Sequence, residues 1–130
     1  MSIQKMISEH PDVAGHENEI LGTAVRHAMY CAAICNSCAD ACAAEEDVKE
    51  RRDCIRMNAD TADICTATYR VASRRTGSNE AMLRKMLELC AEACEANAEM
   101  CGHHDDDHCT RCAKMCRECA ADCRKAMDNL

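Results

Sequence analysis

The sequence predicts an all-α protein, an antiparallel up-down-up-down four-helix bundle preceded by a short N-terminal helix. Three observations predict it. Helix breakers are scarce, with one Pro and four Gly in 130 residues, and they fall at Pro11 to Gly15, at Gly77 and at Gly102. Between the breaks, Cys recurs at separations of three and four, the spacing that returns side chains to one face of an α-helix. The chain also has no Phe, no Trp and only two Tyr, so its interior must be filled by something else; fourteen Cys and nine Met are available.

In chain order, residues 3–9 form a short leading helix within an N-terminal extension, residues 1–14. The main helices are expected over about 17–44, 47–74, 79–102 and 106–128. The first junction, near Ala43 to Asp47, has neither Gly nor Pro and is placed only by the register of the cysteines. Ser78 and one of Asp105 to Asp107 are the expected N-caps of the last two helices. Short connections make neighbouring helices antiparallel, and with no long linker the chain, residues 1–130, reads as a single domain.

The first bundle helix carries Cys31, Cys35, Cys38 and Cys42. The second repeats that frame with Cys54, Asn58, Thr61 and Cys65, and the third with Cys90, Cys94, Asn97 and Cys101. The fourth is densest, with Cys109, Cys112, Cys116, Cys119 and Cys123, which occupy an arc of about 80° on a helical wheel. Antiparallel packing brings these stripes into layers: Cys42, Cys54, Cys101 and Cys109; then Cys38, Asn58, Asn97 and Cys112; then Cys35, Thr61, Cys94 and Cys116; then Cys31, Cys65, Cys90 and Cys119, with Cys123 left near His27. At 1.5 Å per residue the lining extends for roughly 16–21 Å. Beyond it the core is ordinary: Ile20 and Ala24, Thr68 and Ala72, Leu83 and Leu87, Met127 and Leu130.

A net charge of −7 argues against a nucleic-acid partner, which requires clustered Lys and Arg. The first residues contain no apolar export core, and no stretch approaches the roughly 18 apolar residues of a membrane span, so a cytoplasmic protein is expected. In a reducing cytosol a Cys-dense chain points to metal or catalysis rather than disulfides. Same-helix neighbours at i and i+4 are also poorly oriented to bridge. Stripes of equivalent inward thiols single out no low-pKa nucleophile, and no phosphate loop or cofactor fingerprint is present, so no enzymatic activity is expected.

Thiolates select Cu(I), zinc or iron–sulfur clusters. The C-x2-C pairs lie within helical stripes rather than on zinc knuckles, the ferredoxin run is absent, and so is the Glu-x-x-His motif of di-iron bundles. Cu(I), content with two or three sulfurs, fits parallel stripes best. A zinc or mixed-metal thiolate buffer is the alternative. All fourteen Cys are candidate ligands, as are His104 and His108, which with His103 and three aspartates lie in the loop over one mouth of the lining. His27 and the nearby Met57, Met100 and Met115 are assigned to packing.

Cys-x3-Cys pairs facing into a four-helix bundle resemble the bacterial copper storage proteins, over residues 15–130. The resemblance implies storage of many Cu(I) ions per chain on Cys31 with Cys35, Cys38 with Cys42, Cys90 with Cys94, Cys112 with Cys116 and Cys119 with Cys123. It further implies the cytosolic branch of that family and a homotetramer. A copper chaperone or a small-molecule thiol would be the donor. Asn58, Thr61 and Asn97 depart from the fully Cys-lined pattern.

Overall fold

The breaks fall where the sequence puts them. In the computed structural model, which describes residues 1–77 and 79–130, the helices are α1 (Ile3–Ser8), α2 (Glu19–Ala43), α3 (Arg52–Ala72), α4 (Glu80–Cys101) and α5 (Asp107–Met127). The last four form the bundle, each packing on its two neighbours in a ring α2-α3-α4-α5, with α2 closing against α5. Among the described residues α1 packs only on α2.

Local chemistry sets the ends. Asn18 caps α2 by accepting from the Leu21 N–H at 2.9 Å, which starts the helix at Glu19 rather than at residue 17. Its amide also donates to Asn129 O at 2.8 Å, tying the end of the chain to the start of the bundle. The junction without Gly or Pro contains a 3-10 turn, Val48–Arg51, so α3 begins at Arg52 and not at residue 47. Asp106 occupies the N-cap position of α5 but makes no cap bond, because its carboxylate is drawn to Arg51 instead. Ser78 lies outside the described residues, and the N-cap of α4 is Asn79. Gly77 has φ +64°, the left-handed region that favours glycine, and its N–H donates to Asp12 Oδ2 at 2.8 Å. The N-terminal extension is thereby pinned to the α3–α4 connection.

The apolar half of the core departs from expectation at Ile20, Met127 and Leu130. Leu21 and Val25 are buried with Leu83 and Leu87, whereas Ile20 is 38% exposed. The inward face of α2 runs through 21, 24, 25, 28 and 31, one residue away from Ile20. Met127 and Leu130 are partly buried against the core rather than inside it.

Gly22 is where α1 docks: a Cβ there would meet Gln4 Cβ at 2.7 Å. Gly22→Ala should therefore undock α1 while leaving the bundle as stable or slightly more so, since Ala favours mid-helix positions over Gly by about 1 kcal/mol. Limited proteolysis would show faster cleavage before residue 18 with an unchanged thermal midpoint. A bundle destabilised by several kcal/mol would contradict this.

Candidate metal centre

The α-helical repeat turns every cysteine inward. All fourteen are buried and unbridged. Adjacent sulfurs sit at van der Waals separation: Cys35 to Cys116 at 3.5 Å, Cys31 to Cys35 and to Cys116 at 3.7 Å, Cys65 to Cys90 and to Cys94 at 3.7 Å, and Cys42 to Cys109 at 3.8 Å. A disulfide requires about 2.05 Å. Two metal–thiolate bonds of about 2.3 Å each, the zinc value, span up to about 4.6 Å, so these gaps suit a soft ion between the sulfurs.

The sulfurs gather into overlapping groups whose ligand atoms lie within 4.8 Å of one another. At the mouth are Cys38, Cys42, His108 and Cys109, and just inside are Cys38, Cys101 and Cys112. Deeper come Cys31, Cys35 and Cys116; Cys31, Cys65, Cys94 and Cys119; and, deepest, Cys90, Cys119 and Cys123. Cys31, Cys38 and Cys119 each belong to two groups, so bridging thiolates could link neighbouring ions. The stripes expected from the sequence are thus observed, and contacts within the expected layers, Cys42 to Cys109, Asn58 to Asn97 and Cys35 to Cys116, are joined by contacts between layers, Cys31 to Cys35, Cys94 and Cys116. Cys123 groups with Cys90 and Cys119, and His27 bonds to the neighbouring Asp122.

Asn58 and Asn97 interrupt the lining. Asn97 Nδ2 donates to Asn58 Oδ1 at 2.7 Å, and Asn58 Oδ1 also accepts from Cys112 at 3.2 Å and Cys101 at 3.6 Å. Thr61, itself buried, turns its hydroxyl back to donate to Met57 O at 2.8 Å. A buried polar group without partners costs about 1–3 kcal/mol, and these satisfy one another.

His108 stands apart from the other imidazoles. Its Nδ1 lies 3.4 Å from Cys38 Sγ and 3.5 Å from Cys109 Sγ, and its Nε2 lies 3.1 Å from Glu45 Oε1. The Cys38 sulfur, then the Glu45 carboxylate, raise its pKa above the ordinary value. His104 is half-buried in the same loop, its backbone N–H donating to Cys101 O at 3.2 Å, and it is not part of the His108 group. His103 is exposed. Burial chiefly pushes the Cys54 and Cys109 thiols up, whereas bonds from Cys112 and Cys38 draw the Cys101 thiol down.

Two features of the mouth carry no sequence pattern. Glu45 orients His108, and Arg51 is buried against Cys42 and Cys109 between Asp47 and Asp106. Isolated charges in a linker look like solvated surface until the fold turns them inward.

The family described as "Csp: Copper storage protein" matches residues 17–128. The chain belongs to the copper storage protein family. It is similar to Ccsp of Streptomyces lividans, whose structure loaded with 10 copper equivalents superposes with a TM-score of 0.93 at 35% identity, over 99% of this chain and 100% of that one. A second structure of that protein, described as cytosolic and holding five coppers, matches with a TM-score of 0.84 at 38% identity, over 86% of this chain and 95% of that one. The Cu(I)-bound storage protein BsCsp3 matches with a TM-score of 0.71 at 35% identity over 78% and 92%. An uncharacterized cysteine-rich protein of Bacillus subtilis, YhjQ, is 37% identical over 72% of this chain and 83% of its own length. The four-helix bundle is thus the family fold.

Proposed function

We propose that this chain stores several Cu(I) ions on the thiolates of its core, without catalytic turnover. The observation that carries the reading is the run of sulfur groups from the His108 mouth to Cys123, joined by shared thiols and by the 3.8 Å contact of Cys112 with Cys35, in a family with copper-loaded solved relatives. A zinc buffer is the weaker reading, because copper-loaded structures are among the similar ones and each four-ligand group shares a thiol with a neighbouring group instead of standing as a closed separate site. The ligands are the fourteen Cys together with His108, with His104 a further ligand at the loop. Copper enters at the 102–108 mouth, since the opposite end is closed by Leu21, Val25, Leu83 and Leu87.

A cytosolic setting is supported by the description of the Streptomyces lividans relative, and among the described residues no helix is long and apolar enough to cross a membrane. Homotetramer formation and delivery by a copper chaperone or a small-molecule thiol belong to the same reading.

Anaerobic titration of the reduced protein tests it. If each of the fourteen thiolates bridges two ions, there are about 28 Cu–S bonds, enough for roughly 9 three-coordinate or 14 two-coordinate ions. Saturation between about 8 and 16 Cu(I) per chain is expected, with thiolate-to-copper absorption growing throughout. Saturation below about four would favour a chaperone or sensor.

A further inference from the structure

Among the described residues, Arg51 is the only charged residue the fold buries. Its Nε lies 2.7 Å from Asp47 Oδ1 and its Nη1 2.7 Å from Asp106 Oδ2. The same Nη1 lies 3.8 Å from Cys42 Sγ and 3.8 Å from Cys109 Sγ. The side chain is 6% exposed, against 50% for Asp47 and 27% for Asp106. Two carboxylates could hold a guanidinium equally well at the surface, where burial would cost nothing. They do not explain why it is turned inward onto a pair of sulfurs.

We infer that Arg51 is a positioning residue for the outermost Cu(I), its guanidinium offsetting the negative charge of the bis-thiolate that Cys42 and Cys109 form around the ion. This rests on the copper-storage reading. On binding, two S–H bonds break and two Cu–S bonds form. Two protons leave to solvent, no electron is transferred, and the thiolate–Cu(I)–thiolate unit carries a net charge of −1. A buried donor facing both sulfurs stabilises that unit by charge-assisted hydrogen bonds. Asp106 acts the other way: its Oδ2 accepts from the protonated Cys109 thiol at 3.9 Å and repels the anionic unit once the proton is gone. The two members of one ion pair therefore act on bound copper with opposite signs.

The test is equilibrium competition for Cu(I) between the loaded full chain and a high-affinity copper chelator, with ions retained per chain as the readout and helix content as the folding control. Arg51→Met should weaken the last one or two ions by about tenfold, the loss of one charge-assisted interaction, at unchanged total capacity without chelator. Arg51→Lys, which keeps the charge, should stay within about threefold of wild type. Asp106→Asn should retain copper as well as or better than wild type, although it breaks the same ion pair. In a Cys42→Ala/Cys109→Ala background, Arg51→Met should have no further effect. Loss of copper in both Arg51→Met and Asp106→Asn would mean a mechanical clasp and overturn the assignment. So would an Arg51→Lys as leaky as Arg51→Met, an Arg51→Met indistinguishable from wild type, or an effect that persists without Cys42 and Cys109. Should Arg51→Met not fold, Asp106→Asn decides alone, loosened copper being the adverse result. A wild-type chain that holds no Cu(I) would instead defeat the storage reading.

Discussion

Copper loading should raise the thermal midpoint of this protein by at least about 20 °C while leaving its helix content nearly unchanged. The helices do not need the metal: Leu21, Val25, Leu83 and Leu87 pack one half of the bundle, and buried cysteines pack the other as small side chains. Each ion held at 100 times its dissociation constant adds about 2.7 kcal/mol to the folded state. Eight such ions would add about 20 kcal/mol, more than the roughly 5–15 kcal/mol that holds a typical domain together. Unfolded chains retain thiols and also bind copper, so the realised gain is smaller, yet about 5 kcal/mol already moves the midpoint of a domain this size by 15 °C or more. Anaerobic melts followed by far-UV circular dichroism, with and without copper, would measure the effect. A largely unfolded apo chain would make this a metal-folded domain and contradict the expectation.

The second large effect is kinetic. His108→Ala should slow initial copper uptake by about tenfold or more, with total capacity within about two ions of wild type. His108 holds the outer group with Cys38, Cys42 and Cys109, and imidazole is a competent but weaker Cu(I) ligand than thiolate, which suits a site that passes its ion inward. Replacing His103 and His104 as well should add little, as the outer group contains neither. Replacing Cys119 and Cys123, in the deepest group, should do the reverse, lowering capacity with little change in early uptake. The sign of the pH dependence follows from the raised pKa of His108. The ring stays protonated to a higher pH than an ordinary histidine of about 6.5, and a protonated ring cannot ligate. The advantage of wild type over His108→Ala should therefore shrink as pH falls and reach its full size only above the folded-state pKa. In the absence of metal, the His108 contacts stabilise the fold below the unfolded pKa, and that contribution is lost as pH rises through the folded one. Stopped-flow loading at pH 6 and pH 8 would read both. An unslowed His108→Ala, or slow early uptake in the variant lacking Cys119 and Cys123, would place the entry elsewhere.

The bundle and its thiol stripes were legible because both rest on helical periodicity, which the sequence writes openly. Breaks at Gly77 and Gly102 delimited α4, and the repeating Cys frame even located the junction between α2 and α3, though not the 3-10 turn within it. The contacts that link one thiol layer to the next were not legible, since they depend on side-chain tilt across antiparallel neighbours. Ile20 was misplaced for a related reason: the inward stripe drifts by a residue over three turns, and Leu21 takes the buried place. Arg51 and Glu45 were invisible because a charge in a linker acquires meaning only from what the opposite loop brings to it. Asp106 illustrates this, being recognisable as a cap by position but diverted to Arg51 in space.

Asn at 58 and 97 and Thr at 61, standing in the Cys frame of otherwise regular helices, bear on how such a protein can change. These side chains are of similar size, and each substitute satisfies its polar atoms within the core, by a mutual amide bond or by bonding back to its own helix. Cargo number is thereby separable from foldability. A lineage can gain or shed binding groups one substitution at a time, tuning how much metal a cell sequesters without passing through an unfolded ancestor.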